Sequence, residues 1–129
     1  MAYGVQSDDT LVQPLEGAIV RRRIAAEDLT SGQMVYINSS GYAALTDADA
    51  VATNFPYGVV IHDVASGGMA DIVVLGPVSM ATGATPGAVI YTSGTAGASA
   101  ETAGTKVAVI GVAESATVVF VRPYMISFS

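Results

Sequence analysis

The sequence predicts an all-β protein, a small β-sandwich or partly closed β-barrel built from two similar β-units. Three observations predict it. Short β-prone runs recur roughly a dozen residues apart between Gly-rich turns, with no amphipathic helical pattern among them. Ala, Val, Gly, Ser and Thr dominate, while Trp is absent and Phe contributes only three residues, a mixture that suits thin β-layers with many turns. Third, one motif occurs twice. Thr30-Ser31-Gly32-Gln33-Met34-Val35-Tyr36 and Thr85-Pro86-Gly87-Ala88-Val89-Ile90-Tyr91 both run from Thr through Gly into an apolar stretch closed by Tyr. Each is followed by a matching Gly-led trio, Gly58-Val59-Val60 and Gly111-Val112-Ala113. Each half then ends on a β-rich run that reaches a proline, Pro77 or Pro123. The repeat is placed at residues 30–77 and 85–123.

A chain of 129 residues is one domain by length and long enough to bury a working core. Residues 1–16 read as an extended N-terminal arm and 17–129 as a single β domain. The arm is polar and without periodicity. Tyr3, Val5, Leu11, Val12 and Leu15 are its scattered apolar points, and Pro14 interrupts any regular pattern. It is either a frayed end or a segment that orders on a neighbouring subunit.

Residues 18–25 read as a strand. Ala18, Val20, Arg22 and Ile24 alternate with Ile19, Arg21, Arg23 and Ala25 across its two faces. The run Arg21-Arg22-Arg23 holds three of the five basic residues. It marks either a charged edge strand guarded against mispairing or a surface that meets carboxylates on a partner. Residues 33–38 and 42–45 form a hairpin around Asn38-Ser39-Ser40-Gly41. Residues 46–52 read as one helical turn capped by Thr46 or Asp47. A strand over 57–64 carries the only histidine, His62. A turn at Ala65-Ser66-Gly67-Gly68 leads to a strand from 69 to 75, which Pro77 is expected to end because proline lacks a ladder donor. Residues 78–81 form a short extended piece. A strand at 88–92 opens the second unit. Residues 93–105, rich in small side chains, read as an exposed, mobile loop. Strands at 106–113 and 116–122 close the domain. The apolar tail, with Tyr124, Met125, Ile126 and Phe128, is expected to add an edge strand or dock on a neighbour.

Composition narrows the function. A net charge of −6 opposes binding to nucleic acid, where basic residues displace counterions. No run approaches the ~20 apolar residues of a spanning helix. The N-terminus carries no basic-plus-apolar leader. Without cysteine there are no disulfides or thiolate metal sites. Only His62 offers an imidazole base, and on a strand its neighbour Asp63 would point to the opposite face, so no Ser-His-Asp arrangement is visible. Asp47 and Asp49 lack the longer ligand series of a calcium loop. Gly67-Gly68 lacks the Lys-Ser/Thr of a phosphate loop. The expectation is a non-enzymatic protein with no cofactor, no metal and no small-molecule substrate. Few charged side chains, 12% of the total, point to burial completed against another chain.

Several pieces occur together in a familiar order. They are Gly32-Gln33-Met34-Val35, the Ala-rich Asp47-Ala48-Asp49-Ala50, Gly58-Val59-Val60, Pro86-Gly87-Ala88-Val89-Ile90-Tyr91 and Gly111-Val112-Ala113. This order resembles the tailed-phage head decoration, or capsid cement, proteins over residues 17–122. The chain departs from them in its triple arginine and apolar C-terminal tail. The resemblance implies a virion structural protein, made in the host cytoplasm. It would sit on the outer capsid surface and clamp adjacent major capsid subunits, most often as a trimer. The expected capsid or subunit contacts are Tyr3, Val5, Leu11, Val12, Pro14 and Leu15 of the arm, Arg21, Arg22 and Arg23, and Tyr124, Met125, Ile126 and Phe128. The alternative is another virion component: a head-fibre base, a tail accessory or a host-surface adhesion domain.

Overall fold

A computed structural model of the chain describes residues 3–5, 12–48, 55–104 and 106–126. The described residues form twelve strands and no helix. Those of the first part are β1 (Gly4–Val5), β2 (Gln13–Pro14), β3 (Ile19–Ile24), β4 (Met34–Ile37), β5 (Ala43–Leu45) and β6 (Gly58–Val60). They are followed by β7 (Met69–Ser79), β8 (Ala81–Thr82), β9 (Val89–Thr92), β10 (Ser99–Ala100), β11 (Ala108–Ala113) and β12 (Val118–Met125). Nearly all pairing is antiparallel, in one curled sheet whose main path runs β10-β9-β11-β12-β7-β6-β4-β5.

That order is a palindrome of the sequence repeat. Strands β4, β5, β6 and β7 of the first unit correspond to β9, β10, β11 and β12 of the second. The ladders agree residue by residue. Val35 lies opposite Gly58 and Met34 opposite Val59, as Ile90 lies opposite Gly111 and Val89 opposite Val112. Val59 pairs Val73 and Val60 pairs Ile72, as Val112 pairs Phe120 and Ala113 pairs Val119. This register matches Val73 to Phe120, so the two prolines fall one place out of step.

The long strand β7 joins the units. Ile72 and Val73 are flanked by β3 and β6, while Val78 and Ser79 are flanked by β2 and β12. The expectation that Pro77 ends this strand is wrong. Gly76, at φ 115°, bends the strand where its partners change. Pro77 stays in the ladder opposite Phe120, and its carbonyl accepts from the Leu15 amide at 2.9 Å. Its missing N–H therefore costs one ladder bond without ending the strand. A Cβ on Gly76 would fall 2.6 Å from the Ala18 Cα, so only glycine permits the bend and the close crossing together.

Two cores result. Strands β3, β7, β6, β4 and β5 curl until Ala25 bridges Ala43, and the Ala26 amide donates to the Ala43 carbonyl at 2.8 Å. The ring encloses Ala25, Leu29, Val35, Ala43, Val60, Ala70 and Ile72. The larger core lies between the units. Met34, Val59 and Val73 of the first unit pack there with Ile90, Ala113, Val119 and Val121 of the second. Buried apolar area of this kind is the main stabilising term, about 25 cal/mol per Å².

Four further expectations change. Residues 93–105 are packed over their described part: the Gly97 carbonyl accepts from Met34 at 3.0 Å, and the Gly97 amide donates to Thr46 at 2.7 Å. Small side chains let this backbone lie close to the sheet, and β10 pairs β9. The strand expected over 57–64 is only Gly58–Val60, and His62 follows it. Residues 46–48 form no helix, and 49–52 lie outside the described residues. The last strand runs through Tyr124 to Met125, past the expected end at 122.

Candidate binding surface

The N-terminal segment is held by its own chain at two places. Gly4 and Val5 pair with Thr82 and Ala81. Gln13 and Pro14 pair with Ser79 and Val78. Half-buried Tyr3 packs against the larger core, and its hydroxyl hydrogen-bonds Ser99 Oγ. Burial pushes that hydroxyl above the ordinary tyrosine range; the Ser99 bond opposes the shift and the Glu101 carboxylate adds to it. Val12 is a core residue. The described part of the arm is therefore held on its own chain, by the side chains of Tyr3 and Val12 and by two short strand pairings. Among the expected contacts, Val12 and Met125 are buried and offer no surface. Pro14, Leu15, Tyr124 and Ile126 are exposed. Leu11 and Phe128 lie outside the described residues, and of Val5 only the backbone is described.

The arginine strand forms one surface. Over Ile19–Ile24, β7 is the only strand partner of β3 among the described residues. Ile19, Val20, Arg21 and Arg22 are all exposed and Arg23 is half-buried, so burial does not alternate along the strand. From Val20 to Ile24 the register with β7 is continuous, so successive side chains still alternate between the two faces, and both faces are exposed over Val20–Arg22. Arg22 stands opposite Asp71 and donates from Nε to its Oδ1 at 2.9 Å. His62 flanks the same carboxylate. Its Nε2 accepts from the Asp71 amide at 3.1 Å, and its Nδ1 lies 3.2 Å from the Asp63 carbonyl. The same Nε2 lies 3.3 Å from Asp71 Oδ2. Asp63 is engaged elsewhere, accepting from the Ser31 amide at 2.9 Å. This exposed cluster is an edge-strand pairing worth about 0–1 kcal/mol, with no nucleophile in it.

A second surface lies on β11 and β12. Val109, Gly111, Val112, Glu114, Phe120, Arg122 and Tyr124 line an open groove of about 280 Å³. The sequence held a signal for it. Val118-Val119-Phe120-Val121 is a continuous apolar run, the pattern of a strand covered on both faces, yet on one face Val118 and Phe120 are only half-buried. Among the described residues no three His, Asp or Glu side chains gather as a metal site, and no helix is long and apolar enough to cross a membrane.

Comparison with known proteins adds no relative: no family model matches the chain, and no curated protein matches it either.

Proposed function

We propose that this chain is a virion structural protein that binds the outer surface of a phage capsid and clamps adjacent major capsid subunits. One observation carries the reading: β3 is an exposed edge with Arg21, Arg22 and Arg23 beside exposed Ile19 and Val20. Its outer backbone groups suit strand addition by a neighbour. Its guanidinium groups suit carboxylates on that neighbour, with two-pronged geometry. In an otherwise acidic chain this places attraction at one strand and repulsion over much of the rest. Several such modules bound across a lattice would have to release many contacts together, which raises resistance to capsomer separation.

The test is co-sedimentation of the isolated protein with expanded capsids and with precursor shells of its phage. Saturable binding to the expanded form alone is expected. Arg21→Glu with Arg23→Glu is expected to abolish it without lowering thermal stability. Binding to host cells and to neither shell would instead favour the adhesion alternative.

A further inference from the structure

The two units present equivalent faces to different surroundings. In the first unit the cross-strand row Met34–Val59–Val73 is wholly buried against the inner face of the second unit. The equivalent row of the second unit is Val89–Val112–Phe120. No described part of the chain covers it: Val112 is 43% exposed, and Val89 and Phe120 are half-buried. Val112 and Phe120 of this row line the groove, which Tyr124, 48% exposed, extends. A strand sequence built for cover on both faces thus lacks cover on one.

The groove also carries its own charge complement. Glu114 lies two residues beyond Val112, just past the end of β11, and Arg122 two residues beyond Phe120 on β12. Val112 and Phe120 are directly paired and their strands run antiparallel. All four residues line the groove and so share one face. The carboxylate and the guanidinium therefore stand about equally far from the Val112–Phe120 pair, in opposite directions. A two-fold axis lying in the contact plane above that pair, perpendicular to the line from Glu114 to Arg122, turns two copies face to face and brings Glu114 of each to Arg122 of the other. Neither residue has an ion-pair partner among the described residues. An apolar centre flanked by opposite charges in this arrangement is self-complementary, as a two-fold contact requires. A head-to-tail stack is blocked, because the first unit's other face is closed inside the ring around Val35, Val60 and Ile72.

We infer that the β11–β12 face is the docking surface for a second copy of this chain, related by a two-fold axis that lies in the contact plane above Val112 and Phe120. The surface is separate from β3, so the inference stands independently of capsid attachment, and its test needs the isolated protein alone. Native mass measurement over a concentration series is expected to give a dimer. Glu114→Arg places arginine against Arg122 twice, and Arg122→Glu places glutamate against Glu114 twice. Each single variant is expected to weaken the dimer by roughly tenfold or more. Mixing the two variants creates heterodimers with both pairs satisfied and is expected to restore affinity. Unchanged thermal midpoints of the single variants establish that they fold. A wild-type monomer, a trimer, a dimer indifferent to both changes, or single variants that fail to rescue each other would overturn the inference.

Discussion

Gly32 and Gly87 occupy the same place in two copies of one turn. Their φ angles are 87° and 86°. The Gly32 amide donates to Val60 at 2.7 Å and the Gly87 amide to Ala113 at 2.8 Å. One residue on, the pattern continues: Val60 donates to Gln33 at 3.0 Å and Ala113 to Ala88 at 2.9 Å. The turn sets where each following strand, β4 or β9, meets its Gly-led partner. The doubled sequence motif is thus a doubled register device.

The partner glycines are constrained by close approach rather than by φ. A Cβ on Gly58 would fall 2.3 Å from the Val73 carbonyl oxygen, and one on Gly111 would fall 1.9 Å from that of Phe120. Gly58→Ala and Gly111→Ala are each expected to cost about 2–4 kcal/mol, since backbone must move. Gly41→Ala, at φ 82° with open space around it, is expected to cost only the left-handed strain of about 1–2 kcal/mol. Urea unfolding of the three variants checks the order.

The repeat was legible because Gly, Thr and Tyr recur at fixed spacing, and the all-β class because turns punctuate short β-prone runs. The bend of β7 was not, since Pro77 masks what Gly76 permits. Nor was the anchoring of the N-terminal segment, which rests on two separated side chains, Tyr3 and Val12, and on backbone pairing that leaves no periodicity. Residues 93–104 looked loose because backbone hydrogen bonds such as those of Gly97, and scattered polar contacts such as Ser99 with Tyr3, leave no periodic pattern. The arginine strand was visible as a candidate surface. The groove was written in the doubly apolar run at 118–121 but showed itself only once the other face was seen to fill the core.

Tyr3 gives the molecule an alkaline limit. Its hydroxyl titrates above the ordinary tyrosine value in the folded state because of burial. The unfolded chain therefore loses this proton first as pH rises. The contribution is fully present below pH ~10 and is lost as pH rises through the folded-state value. Urea midpoints measured at pH 8 and above pH 10 are expected to fall more steeply for the wild type than for Tyr3→Phe. Parallel slopes would contradict the placement of this ring.

Thr92 Oγ1 is buried with no hydrogen-bond partner among the described residues. Thr92→Val replaces that hydroxyl with a methyl of similar size. It is expected to be neutral or to stabilise by about 1 kcal/mol, read as a rise in the thermal midpoint. A loss above 1 kcal/mol would mean that the hydroxyl has a partner.

The stacking of two equivalent units with one apolar row left open is tested most directly at Val59 and Val112, which hold the same place in each. Thermal unfolding of Val59→Lys and Val112→Lys should give opposite results. Val59→Lys buries an unpaired charge between the units and is expected to abolish the cooperative transition, at a cost above 4 kcal/mol. Val112→Lys places the charge in the open groove and is expected to keep the folded chain within about 1 kcal/mol of the unmodified protein. Equal losses at the two positions would contradict the account.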